Sequence, residues 1–233
     1  MSKDNNKNIK MAWLLAAIAV LIVVCDQVIK IWVKTHFYLG EDYPLTSWFH
    51  LKFIENNGMA FGMEIISKVV LTLGRIFAVI VFIWALKKLI SLRKIRTGFL
   101  IAVALIIAGA AGNVIDCIFY GEIFNNPLPP QVATLFPAGG GYGSWFEGRV
   151  VDMFYFPFFT IYFPEWMPGV GGTQFEFFQY IFNLADASIT VGVFLMILFY
   201  SRDASMAFNY LFKKNSGVEK ILEESEKTNE KDS

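Results

Sequence analysis

The sequence predicts a mainly α-helical membrane protein: four transmembrane helices, an outer β-like platform and an extended aromatic loop. Three observations predict it. The 233 residues are 55% hydrophobic, include 24 Phe and have a mean hydropathy of +0.49. Four stretches approach the roughly 20 apolar residues needed to cross a hydrocarbon core. Lys and Arg are concentrated in alternate connecting segments, as cytoplasmic loops require. With 20 Lys and Arg offset by 20 Asp and Glu, no nucleic-acid partner is expected.

Residues 1–10, with Lys3, Lys7 and Lys10, are expected to be a cytoplasmic N-terminus. The four-span domain covers 11–200, with spans at about 11–37, 65–90, 98–117 and 180–200. The connection between the second and third spans carries Lys87, Lys88, Arg93, Lys94 and Arg96, and a charged tail at 201–233 opens with Arg202. The loop at 118–179 holds only Arg149 among cations. Both termini should therefore be cytoplasmic, with loops 38–64 and 118–179 outside. Asp26, Gln27 and Lys30 interrupt the first apolar run and no A-x-A-like site follows it, so it reads as a retained helix rather than a cleaved signal. Cys25 reads as a buried helix cysteine, and Cys25 and Cys117 form neither a disulfide framework nor a metal-type C-x-x-C.

In the first outer loop, Trp48-Phe-His-Leu-Lys-Phe-Ile54 nearly alternates apolar and polar residues and predicts a short strand. Glu55-Asn-Asn-Gly58 follows as a turn signal. The second outer segment, about 60 residues rich in Pro, Gly and aromatics, is long enough that function is its natural explanation. Its aromatics, among them Phe154, Phe156, Phe159, Tyr162 and Trp166, suit a membrane interface.

The candidate chemistry lies in carboxylates within or beside apolar segments: Asp26, Asp116, Asp152 and Asp186. An ionised Asp inside a bilayer costs about 2.5–3.5 kcal/mol on insertion scales, so each is a functional-site hypothesis. Given the predicted topology, Asp26 and Lys30 on helix one, Asn113 and Asp116 on helix three, and Asn183 and Asp186 on helix four all fall toward the outer leaflet, with Asn57 and Asp152 in the outer loops. Asp26 and Lys30, at i and i+4, can pair on one helix face. Asn183 can cap the fourth helix. Asp116 is the rival candidate for a reacting pair, but it is expected to pair with Arg75 in a structural role. Only His36 and His50 are available as histidines and no H-E-x-x-H occurs, which argues against zinc chemistry. Ser188, inside a helix, reads as packing. Two carboxylates sharing a proton fit best, one activating water and the other polarising a carbonyl.

Five segments occur in order: Asp26-Gln-Val-Ile-Lys30, Asn57-Gly-Met-Ala-Phe-Gly62, Gly109-Ala-Ala-Gly-Asn113-Val-Ile-Asp116, Val150-Val-Asp152-Met-Phe154 and Phe182-Asn183-Leu-Ala-Asp186. Together they resemble lipoprotein signal peptidase (signal peptidase II), over roughly residues 11–200. The resemblance implies a four-helix membrane bundle with an outer β-cradle, located in the bacterial cytoplasmic membrane. It implies a metal-independent aspartyl protease with no cofactor, which removes the signal peptide of diacylglyceryl-modified prolipoproteins just before the lipidated cysteine. The catalytic pair would be Asp152 and Asp186. Asp26, Lys30, Asn57, Gly58, Asn113, Asp116, Arg149 and Asn183 would bind substrate or orient the carboxylates. Partners would be these substrates and membrane lipids, and a monomer is expected.

Two departures from the family pattern stand out. Cys117 occupies the place of an Arg, which Arg149 could replace, and the segments before and after Asp152 are expanded. Extra loop length is entropically cheap. A small transporter or proton-relay subunit is the competing class; it would distribute carboxylates across the whole membrane depth.

Overall fold

The computed structural model describes residues 3–57, 67–92 and 94–212, with no account of the Lys3 and Asp4 side chains. Helix α1 spans Lys3–His36, α2 Lys68–Ile90, α3 Thr97–Ile123, α4 Leu184–Phe199 and α5 Ser201–Phe212. Between α1 and α2 lie strands β1 (Asp42–Pro44) and β2 (His50–Asn56); between α3 and α4 lie β3 (Val150–Tyr155), β4 (Phe159–Tyr162), β5 (Gln174–Phe177) and β6 (Ile181–Phe182).

Three helices, α1, α2 and α3, are each long and apolar enough to cross a membrane. The fourth predicted span is different. Residues 180–182 belong to the sheet approach rather than to a helix, and α4 has 16 residues, about 24 Å at 1.5 Å per residue. It passes the same test only together with α5, from which it is bent by 98°. Both ends of α4 are fixed by side chains. Asn183 Oδ1 accepts from Asp186 N at 2.8 Å, while at the other end Arg96 donates to the Phe199 carbonyl at 2.7 Å and pairs with Asp203 at 2.6 Å. The segment from 201 to 212, placed in the charged tail by its sequence, is helical.

Helix α3 is the central element, and its buried residues include a run of small ones: Ala102, Ala104, Ala108, Gly109 and Gly112. Small residues let membrane helices approach closely, because lipid is as apolar as any side chain and packing must supply the association energy. The approach to α4 is tightest at Gly109, where a Cβ would lie 2.2 Å from the Ala185 carbonyl oxygen. Helix α3 also runs past its predicted end at Cys117, because Tyr120 and Phe124 pack into a core cluster with Val33, Phe53, Val151 and Met153. Cys25, expected to be buried, is exposed on α1.

The strands form an antiparallel sheet in the order β1-β2-β3-β6 and a separate hairpin, β4-β5. β2 starts two residues after the predicted strand start and pairs with β3, setting Ile54 opposite Asp152. The long loop before β3 is strapped to the end of α3. Gly143 N donates to the Gly121 carbonyl, Phe146 N to Ile118 and Gly148 N to Cys117, at 2.9, 3.1 and 2.9 Å. These bonds tie down a segment that the sequence leaves unstructured, and they deliver β3 to the mouth of the bundle.

Candidate active site

At the sheet end of the bundle, polar side chains from α1, α3, β3 and α4 form one connected network. Lys30, fully buried, lies at its base. Its Nζ sits 2.8 Å from Asp26 Oδ2, 2.8 Å from Asp116 Oδ2 and 2.8 Å from Asn113 Oδ1. A buried ammonium must have every donor satisfied to be tolerated, and here three acceptors from two helices meet it. Asp26 is held in turn by Ala185 N, which donates to its Oδ1 at 2.9 Å, so α1 is pinned to the first turn of α4.

Above this base, Asn113 and Asn183 carry the network to two further carboxylates. Asn113 Nδ2 donates to Asp186 Oδ1 at 2.7 Å. Asn183 Nδ2 donates to Asp152 Oδ1 at 2.7 Å and lies 3.2 Å from both Asn113 Oδ1 and the Val151 carbonyl. Because Asn183 Oδ1 also caps Asp186 N, one amide side chain fixes both aspartates. Asp152 and Asn183 are buried, whereas Asp186 and Asn113 are half-buried and form the open side. Burial, reinforced by the neighbouring Asp186 carboxylate, pushes Asp152 up to about 7; Lys30 and the Asn183 hydrogen bond pull the other way. A buried carboxyl titrating near neutrality beside a second, more exposed carboxyl is suited to general acid–base chemistry.

Of the residues singled out in the sequence, Asp26, Lys30, Asn113, Asp116, Asp152, Asn183 and Asp186 belong to this network. Asp116 is held by Lys30, by Gln27 Nε2 at 2.8 Å and by Val151 N at 3.3 Å. The cation that serves it is therefore Lys30 on α1, while Arg75, its expected partner, donates to Cys117 Sγ at 3.0 Å. Helix α1 packs on α3 and brings Lys30 and Gln27 to Asp116. Ser188 donates to the Leu105 carbonyl at 2.9 Å, a helix-to-helix contact. Asn57 accepts from Lys68 at 3.2 Å, and Gly58 lies outside the described residues. Arg149 pairs with Glu55 at 3.0 Å and lies over the Tyr142 ring at 4.9 Å.

Sequence reasoning missed two contributors. Gln27 bridges Asp116 to the Gly112 carbonyl and receives the Tyr120 hydroxyl at 3.1 Å. Buried Lys34 pairs with Glu55 and adds α1 to the Arg149 cluster. The i, i+4, i+8 spacing of Asp26, Lys30 and Lys34 marks a continuous polar stripe on an otherwise apolar helix, and that signal would have found Lys34.

The apolar helices and the buried aspartate–amide network define a helical membrane protein with a polar site at one end of its bundle. Its family is Signal peptidase (SPase) II, whose sequence profile matches residues 18–202, and the chain belongs to it. It is similar to the lipoprotein signal peptidase of Porphyromonas gingivalis, 48% identical over 213 residues covering 91% of this chain and 92% of that one. The lipoprotein signal peptidase of Amoebophilus asiaticus is 39% identical, covering 81% of this chain and 78% of that protein. Two solved bacterial membrane enzymes share the fold. One has a TM-score of 0.54 at 23% identity over 82% of this chain and 90% of the other; the second has 0.52 at 24% over 79% and 90%. The chain is thus a transmembrane hydrolase of the peptidase class, as its five motifs imply.

Proposed function

We propose that this chain is an intramembrane aspartyl endopeptidase that removes the signal peptide from diacylglyceryl-modified prolipoproteins, cutting just before the lipidated cysteine. The observation that carries the reading is the Asn183 bridge, which binds Asp152 through its amide and Asp186 through its cap. Membership in the Signal peptidase II family supplies the substrate class.

In this mechanism Asp152, raised to about 7, is the proton-bearing member, and the more exposed Asp186 faces the attacking water. Asp186 takes a proton as the water oxygen bonds to the scissile carbonyl carbon, and Asp152 gives its proton to the carbonyl oxygen. On collapse of the resulting diol, Asp186 returns its proton to the departing amine and Asp152 recovers one from the hydroxyl. No metal or cofactor enters these steps. Lys30, Asp26, Asp116 and Asn113 hold the floor, and a fixed geometry of this kind can supply several kcal/mol of the barrier lowering.

The basic residues Lys87, Lys88 and Arg96 lie at the end of the bundle away from the sheet, which supports cytoplasmic termini and a site near the outer leaflet of the bacterial inner membrane. There the substrate's acyl chains remain in lipid while its scissile bond meets the aspartates. A single chain supplies both carboxylates, so a monomer suffices. Purified protein with chelator present should cleave a diacylglyceryl-modified prolipoprotein, seen as a mobility shift. Folded Asp152→Asn and Asp186→Asn variants should not; cleavage by either variant would remove the dyad.

A further inference from the structure

The β4-β5 hairpin is exposed on both sides, and its two sides differ in polarity. Pairing sets Phe159 opposite Phe177 and Ile161 opposite Phe175, so these four side chains share one face. Thr160, Tyr162, Gln174 and Glu176 share the other. The polar face meets the protein at one point, where the Tyr155 hydroxyl of β3 donates to half-buried Glu176, while Thr160, Tyr162 and Gln174 on the same face are exposed. The apolar face is left exposed, with the Phe159 and Phe177 rings stacked at 4.8 Å.

We infer that this apolar face lies on the lipid bilayer, at the surface where the N-terminal end of α4 emerges, and that the hairpin is a second membrane attachment besides the helices. Three further observations select lipid as the occupant. The hairpin is continuous with the lipid-facing surface: β5 leads through exposed Phe178 and Tyr180 into α4, whose own exterior is exposed and apolar. No Lys or Arg occurs between Val150 and Ser201, so insertion desolvates no cation, and Glu176 is on the opposite, polar face, where Tyr155 holds it. Trp166 projects from the connection between β4 and β5, 78% exposed, and an amphipathic ring of this kind favours the headgroup level. The inference concerns membrane contact alone and stands independently of the peptidase reading. Its consequence for the site is mechanical. β3, which carries Asp152, is bonded to the hairpin through Tyr155, so the sheet is held at a set height above the lipid.

The test uses the full chain reconstituted in phosphatidylethanolamine–phosphatidylglycerol vesicles. A ketone-bearing phenylalanine analogue at 161 or 175, and in separate samples at 160 or 174, is coupled to a nitroxide, leaving both cysteines native. Spin relaxation by oxygen, which partitions into lipid, is compared with relaxation by a water-soluble nickel chelate. The expected result is an oxygen-to-nickel accessibility ratio several-fold higher at 161 and 175 than at 160 and 174. Equal ratios on the two faces would mean a solvated hairpin and would overturn the inference. So would labels at 161 and 175 shielded from both relaxants, or broadened by a second copy, since a protein would then cover the face. Labels on both faces burden the same hairpin, so a folding defect would strike all four positions alike and is separately visible in the proteins' melting.

Discussion

Asn183 holds Asp152 at 2.7 Å through its amide while its own oxygen caps the N–H of Asp186, so one side chain ties the Asp152 carboxylate to the backbone that carries Asp186. Asn183→Ala removes the cap, worth about 0.5–2 kcal/mol, and also the hydrogen bond that lowers the Asp152 pKa. Two outcomes are expected together: a melting temperature a few degrees lower, and an Asp152 titration moved above its present value of about 7. With Asp152 acting as the acid, the alkaline limb of kcat/KM should shift to higher pH in this variant while kcat falls. A drop in activity with an unmoved limb would mean that Asn183 acts only through helix stability.

Asp152 should also leave a mark on stability. Its folded pKa of about 7 exceeds the ordinary Asp value of about 3.9, so between these pH values the folded state binds a proton that the unfolded state has released. Stability therefore falls as pH rises through this window, and the cost is complete above about pH 7. For three units it is on the order of 4 kcal/mol. Asp152→Asn carries no such cost. Measured in detergent, the melting temperature of the variant relative to wild type should rise from pH 5 to pH 8, even as cleavage is lost. The charges that bear on the group are Asp186 of α4, Asp116 of α3 and Lys30 of α1; a pH-independent difference would show that Asp152 is not held up by burial and Asp186.

Lys30 joins two carboxylates in a site with no exposed surface. Lys30→Met leaves Asp26 and Asp116 without their cation, and breaking such a buried pair costs about 3–5 kcal/mol. Asp116→Asn should give a similar but smaller loss of folded protein, because Gln27 and Val151 N remain as partners. Asp152→Asn should keep folded protein and substrate binding while losing turnover. Comparing the yield of monodisperse protein with substrate binding in these three variants separates a supporting carboxylate from a reacting one. An Asp116→Asn protein that folds, binds and fails to cut would promote Asp116 to the reacting pair.

Much of the site was legible because its residues obey local rules. Asp26 and Lys30 are one helical turn apart and do pair, and Asn183 precedes an apolar run and does cap it. The partner of Asp116 was not legible, since whether Arg75 or Lys30 reaches it depends on which helices flank α3. Cys25 was misjudged for a similar reason: an apolar helix in lipid has an exposed face that is as hydrophobic as its buried one, so hydropathy does not distinguish the two. The fourth span was overestimated because Tyr180-Ile-Phe182 is apolar enough to extend a helix yet pairs with β3 instead. Order in the long loop comes from backbone donors meeting the end of α3, which side-chain patterning does not encode.

Close packing of α3 on α4 gives a test of how narrowly the proposed dyad is positioned. A Cβ at Gly109 would meet the Ala185 carbonyl oxygen at 2.2 Å and Ile189 Cγ1 at 2.7 Å, in the turn that carries Asp186. A Cβ at Gly192 would meet the Ala102 carbonyl oxygen at 2.7 Å, six residues or about 9 Å further along α4. Both Gly109→Ala and Gly192→Ala overpack the interface, at about 1–3 kcal/mol each, so both should lower the melting temperature. They should differ in turnover. Only the Gly109 substitution pushes on the backbone next to Asp186, and a displacement near 1 Å at a reacting group can cost about a hundredfold in rate. Gly109→Ala should therefore lose far more kcat than Gly192→Ala for a comparable loss of stability. Parallel losses in the two variants would mean that activity follows general stability rather than the placement of Asp186.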